Sequence, residues 1–167
     1  MSCEVFQTDA NDVLLRFRIH GAGPVSVPAP DSPTRTDGLW RTTCFELFLK
    51  PSGSEAYIEF NFSPSTQWAA YAFDGYREGM RPLPLDVAPH IDPEPANDAQ
   101  THDLLFALEA DVDLSALPPE ALLMGLSAVI EDAGGAKSYW ALAHPPGPPD
   151  FHHPDCFALE LPAAATP

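Results

Sequence analysis

Between residues 40 and 77 the chain gathers its most chemically capable side chains: Trp40, Glu46, Tyr57, Glu59, Asn61, Trp68, Tyr71, Tyr76 and Arg77. Aromatic rings mixed with a few carboxylate, amide and guanidinium groups suit a neutral polar ligand that also has apolar faces. A sugar is the prime example. Its C–H face stacks on an indole, and its hydroxyls need donors and acceptors held at fixed angles. Trp40, Glu46, Asn61, Trp68 and Arg77, joined by Trp140 from late in the chain, are the candidate ligand-binding residues. Each has a plainer alternative. A tryptophan fills a core, Glu46 and Glu59 pair across strands with Arg77 or Arg41, and Asn61 bonds the turn that follows it.

A second cluster, His144, Asp150, His152, His153, Asp155 and Cys156, mixes imidazole, carboxylate and thiol as transition-metal sites do. Adjacent His152 and His153 point opposite ways on extended backbone, prolines restrict the loop, and the spacing matches no zinc signature. The expectation is therefore a rigid loop whose histidines bond backbone or line a pocket mouth, with no cofactor. A metal ion, or haem on an axial histidine or methionine such as Met80 or Met124, is the alternative. No Gly-x-Ser-x-Gly elbow, phosphate-binding glycine loop or His-Glu-x-x-His run is present. Glu46, Glu59, Glu131 and Asp132 are carboxylates of the kind glycoside hydrolysis uses, but a sheet protein this acidic offers such pairs by chance. The reading is a binding protein, not an enzyme.

The elements that must carry these residues are strands. Val13, Leu15, Phe17 and Ile19 alternate with polar neighbours, which marks a strand with one buried face. A Pro/Gly-rich connection spans 21–38. Thr43, Phe45, Leu47 and Leu49 then form one strand face, with Thr42, Cys44, Glu46 and Phe48 on the other. After the turn Pro51-Ser52-Gly53-Ser54, Ala56, Ile58, Phe60 and Phe62 oppose Tyr57, Glu59 and Asn61. A third strand covers 68–73, completing an antiparallel meander. If Phe45, Leu47, Ile58, Phe60 and Phe62 build the core, the opposite face presents Glu46, Tyr57, Glu59 and Asn61. Later segments read as an edge strand over 85–91, strands from His102 to Ala110, over 124–132 and 138–144, and a closing strand over 156–161. Pro118-Pro119-Glu120 suits one helical turn. The fold class is all-β: an antiparallel sandwich, jelly-roll or immunoglobulin-like, of roughly eight to ten strands with little helix.

The totals bound this reading. With 167 residues, 45% of them hydrophobic, residues 1–167 read as a single domain, 162–167 being a frayed tail. Twenty prolines favour short strands and stiff loops. Eight basic against 24 acidic residues give a charge of −16, which repels phosphate backbones and argues against nucleic acid as a partner. No stretch approaches the about 18–20 apolar residues that span a bilayer, so no membrane is expected. No signal peptide is visible at the N-terminus, which makes the expected location cytoplasmic. Cys3, Cys44 and Cys156 are too scattered for a disulfide framework. Oligomeric state is left open.

The run Gly38-Leu39-Trp40-Arg41-Thr42-Thr43-Cys44-Phe45-Glu46-Leu47-Phe48-Leu49 resembles the first signature of DOMON-like domains and the related family 9 carbohydrate-binding modules. Tyr57-Ile58-Glu59-Phe60-Asn61-Phe62-Ser63-Pro64 is similar to their next strand, Glu131-Asp132 and Ser138-Tyr139-Trp140 to their closing strands. The resemblance implies a β-sandwich that binds sugar or, elsewhere in the superfamily, haem. It further implies that Trp40 stacks on sugar, that Glu46 accepts from hydroxyls, and that Trp140 completes the clamp. A small-ligand-binding domain for a saccharide is the leading expectation. A protein-interaction or scaffold domain, in which exposed aromatics meet a partner, is the alternative.

Overall fold

The structure, a computed structural model, describes residues 1–9, 11–21, 23–95, 103–115, 117 and 120–163. In chain order its strands are β1 (Ser2–Gln7), β2 (Asp12–His20), β3 (Val25–Ser26), β4 (Cys44–Pro51), β5 (Tyr57–Phe62) and β6 (Trp68–Phe73). They continue with β7 (Arg81–Pro82), β8 (His90–Pro95), β9 (Leu104–Asp113), β10 (Leu122–Asp132), β11 (Lys137–Ala141) and β12 (Leu159–Leu161). Two 3-10 turns, Leu39–Arg41 and Pro154–Cys156, are the helical segments among the described residues. The small sheet has the order β1-β2-β9-β8 and the large one β11-β10-β4-β5-β6-β7, with β3 and β12 also on β10. Paired strands run antiparallel throughout.

The two sheets pack face to face through alternate residues. Val13, Leu15, Phe17 and Ile19 of β2, with Phe106, Leu108, Ala110 and Val112 of β9, meet Phe45, Leu47, Leu49, Ile58, Phe60 and Phe62 of the large sheet. Phe17 and Phe45 bridge the layers, their ring centroids 4.9 Å apart. Each of these side chains larger than alanine contributes roughly 1.5–3 kcal/mol by leaving water, and the period of two makes this one decision per strand. The result is the expected antiparallel β-sandwich.

Several boundaries differ from the sequence expectation. β1 was not foreseen, since only Cys3 and Val5 of its residues pack against the core while Phe6 stays exposed. The edge strand expected over 85–91 lies instead at His90–Pro95. Pro93 and Pro95 sit inside it, because β8 bonds only β9 and an edge tolerates missing N–H groups. The strand expected over 138–144 stops at Ala141, and the one over 156–161 is a 3-10 turn followed by three strand residues. His102, Pro118, Pro119 and the tail from 164 lie outside the described residues. No helix among the described residues is long and apolar enough to cross a membrane.

Candidate functional site

The outer face of the large sheet is built from the residues between those of the core. β4 contributes Cys44, Glu46 and Phe48, β5 Tyr57, Glu59 and Asn61, and β6 Ala69, Tyr71 and Phe73. Cross-strand register sets Glu46 opposite Asn61 and Phe48 opposite Glu59, so the two glutamates are diagonal neighbours on one face. On the other side of β4, Ser127 is opposite Glu46, and Val129 pairs with Tyr139 of β11.

Three segments roof this face. The 3-10 turn after Gly38, itself at φ 80°, brings Trp40 edge-on to Tyr71 at 6.1 Å. The turn between β6 and β7 is closed by Glu78 N–H donating to the Gly75 carbonyl at 3.0 Å, with Arg77 at φ 57°. Turn chemistry gives that left-handed place to Gly or Asn; here an arginine fills it, and its guanidinium binds Asp150 beside the cavity. The proline-rich loop 142–158 supplies Asp150, Phe151 and His152. Gly125 lets this loop lie flat, because a Cβ there would stand 3.0 Å from the Cys156 carbonyl. The Cys156 thiol then donates to the Ala143 and Asp150 carbonyls, each at 3.2 Å.

Together these elements enclose a cavity of about 360 Å³, at the small end of ordinary ligand sites, lined by Trp40, Glu46, Glu59, Phe73, Arg77, Met80, Val129, Tyr139, Pro149, Phe151 and His152. Its floor is polar and buried. Ser127 Oγ donates to Glu46 Oε2 at 2.7 Å, and Asn61 Nδ2 donates to Glu59 Oε1 at 2.6 Å. The Cys44 thiol below donates to Asn61 Oδ1 at 3.5 Å. Burial pushes both glutamates well above the ordinary carboxylate range, and the nearness of Glu59 adds to the effect on Glu46. Arg77 lessens the shift on both.

His152 is held neutral: burial, then the Arg77 charge, lower it to about 4. Arg77 N–H donates to Tyr57 Oη at 3.2 Å, and the same hydroxyl shares a hydrogen bond with His152 Nδ1 at 2.7 Å. The other ring nitrogen, Nε2, faces Glu59 Oε2 at 3.9 Å. Arg77 Nη2 donates to Asp150 Oδ1 at 2.7 Å, and Tyr76 donates to the other Asp150 oxygen. Burial opposes the charge on Asp150, but the bonds from Tyr76 and Arg77 outweigh it and lower its pKa. Among the described residues no three His, Cys, Asp or Glu side chains converge as metal ligands would.

No family model matches this chain. No curated protein matches its sequence either. Among solved structures, it is similar to a candidate carbohydrate-binding protein from Bacteroides uniformis, with a TM-score of 0.59 and 15% identity. The match covers 92% of this chain and 74% of that one, and shows a shared fold.

Of the residues singled out from sequence, Trp40, Glu46 and Arg77 line the cavity, and Asn61 lies beneath it, orienting Glu59. Trp68 is elsewhere. It pairs with Phe62 and so has the parity of the core face, where Arg35 covers its ring at 4.5 Å. Its Nε1 is the one buried side-chain polar atom without a hydrogen bond among the described residues. Trp140 is also elsewhere: it pairs with Ala128, an inner-face residue, and lines a separate groove with Ile19, Val25 and Leu105. Its neighbour Tyr139 takes the place by the cavity. Sequence reasoning missed Tyr139, Ser127 and the Tyr57–His152 pair. For Tyr139 the signal was present in the parity of the strand, one residue away from the tryptophan chosen. For His152 only the general expectation of a histidine at the pocket mouth was available.

Proposed function

We propose that this cup binds a small polar ligand without turning it over, and that the ligand is a saccharide. The observation that carries the reading is the combination of a partly exposed indole, Trp40 at 37% of its surface, with a buried floor of Glu46, Glu59 and Asn61. Trp40 and Tyr139 offer ring faces to a sugar's C–H surface, while the carboxyl oxygens and Arg77 meet hydroxyls. The resemblance of the segments around Trp40 and Glu46 to DOMON-like and family 9 carbohydrate-binding domains supports the same reading, as does the fold shared with a candidate carbohydrate-binding protein. A non-catalytic role is favoured by the carboxyl geometry. Glycosidase pairs flank the scissile bond, whereas Glu46 and Glu59 are neighbours on one wall, so a ligand rests on both instead of between them.

The test is titration of intrinsic tryptophan fluorescence with a panel of mono- and disaccharides, on wild type and on Trp40→Ala. A saturable change in wild type, absent from Trp40→Ala, is expected. No response to any sugar would overturn the saccharide reading. A second reading, docking of a partner protein, is favoured by the exposed apolar rim of Tyr76, Met80, Tyr139 and Leu142. It requires a patch that stays sticky after the floor is altered, so Glu46→Gln separates the two.

A further inference from the structure

The floor of the cup holds two buried carboxyl groups whose hydrogen bonding is incomplete. Glu46 and Glu59 are 3% and 5% exposed, and each has one oxygen that accepts a protein hydrogen bond, from Ser127 and Asn61 respectively. Neither second oxygen receives one, and both side chains line the cavity. Among the described residues Arg77 is the one cation acting on both carboxyls. It is already engaged by Asp150, so three acids share one guanidinium. The other groups facing the pair bring no positive charge: Ser127 from β10 and Asn61 from β5 are neutral, Cys44 is a buried thiol, and His152 from the roof loop is an uncharged imidazole. Around this floor are the rings of Trp40, Phe73, Tyr139 and Phe151. Aromatic walls above carboxylates are the arrangement that holds an organic cation, by ring quadrupoles and charge-assisted hydrogen bonds together. The chain's charge of −16 adds a field that draws cations in.

We propose that the cup selects ligands carrying a cationic amine, seated on the free oxygens of Glu46 and Glu59. Resting on the saccharide reading, this makes the ligand an amino sugar with its amine unblocked. Burial favours the protonated carboxyls, and a neutral sugar leaves that balance in place and adds only neutral hydrogen bonds. An ammonium lets them ionise, so its binding expels protons to solvent.

Isothermal titration of the full chain, with glucosamine, glucose, N-acetylglucosamine and choline, each in two buffers of different ionisation enthalpy, tests the idea. Glucosamine is expected to bind about tenfold or more tightly than the two neutral sugars, the difference between charged and neutral hydrogen bonds. Its binding alone among the sugars releases protons. Glu46→Gln and Glu59→Gln, close in shape to the native residues, are expected to erase the preference and the release. Equal or tighter binding of the neutral sugars overturns the amine proposal and leaves the saccharide reading standing. Choline has no N–H to donate, so its binding where no sugar binds, glucosamine included, overturns both the hydrogen-bonded amine and the saccharide and leaves only a site for an organic cation. No binding in any arm overturns both. If a glutamine variant fails to unfold cooperatively, proton release by the wild type still decides the matter.

Discussion

The inner and outer faces of β4, β5 and β10 are cut from the same strands, one residue apart, yet they solve different problems. Inside, Phe45, Leu47, Phe60, Phe62, Met124 and Leu126 leave no polar atom to satisfy. Outside, Glu46, Glu59, Asn61 and Ser127 are buried nearly as deeply. A fold that needed only stability would not place two carboxyls there, since desolvating charge costs several kcal/mol unless each group is fully paired. The outer face is therefore the part of the sheet shaped by something other than folding. Arg77 carries the same message, holding a left-handed turn position that glycine would occupy with less strain.

Breaking the inner face is expected to have the largest effect. Phe60→Ala removes a fully buried ring and is expected to cost about 3–5 kcal/mol in urea unfolding. Next comes the carboxyl floor, where the sign is opposite. Glu46 and Glu59 hold their protons more tightly folded than unfolded, where the reference value is 4.5. Their contribution is full below that value and is lost as pH rises through the raised folded values. Glu46→Gln is therefore expected to stabilise the protein at about pH 8, on the order of 2 kcal/mol, with little effect near pH 4. Thermal melts across that range check it; a pH-independent difference would contradict a protonated floor. His152 works the other way. Its folded value is lowered from 6.5 to about 4, so its contribution is present above 6.5 and lost as pH falls toward 4. Stability should thus decline on both sides of an intermediate pH.

Tyr57→Phe takes away the acceptor of Arg77 N–H and the hydrogen-bond partner of His152 Nδ1. A loss of about 1–2 kcal/mol is expected. His152, followed by NMR titration, should keep its lowered value, because the burial and the Arg77 charge that lower it both remain. The smallest effects are expected at the two exposed tryptophans, each within about 0.5 kcal/mol on truncation to alanine. They sharpen the comparison through binding instead. Trp40→Ala should abolish the saccharide binding proposed for the cup, and Trp140→Ala, on the other side of the sheet, should leave it intact.

Much of this division was legible without coordinates. Phe45, Leu47 and Leu49 separate from Cys44, Glu46 and Phe48 by parity alone, and the same holds for Ile58, Phe60 and Phe62 against Tyr57, Glu59 and Asn61. Applied further, the rule would have moved Trp68 to the core and chosen Tyr139 over Trp140. Residue type points the other way at both places, since an indole suits a sugar face as well as a core, and register decides between them. Strand edges were harder to read: prolines mark an end in a central strand but sit comfortably inside β8.

What the sequence determined by itself is therefore the pair of faces, because alternation of side chains is a local property of extended backbone. It determined the sandwich too, since an apolar face on each strand must be buried against another sheet. Only the tertiary structure decided what stands over the outer face. The seat of loop 142–158 depends on the missing Cβ of Gly125, on the Cys156 thiol and on Asp150 meeting Arg77, whose chain separation is 73 residues. Such contacts have no period along the chain. They arise only once the strands have brought distant segments together, and they are what turns an acidic sheet face into an enclosed cup.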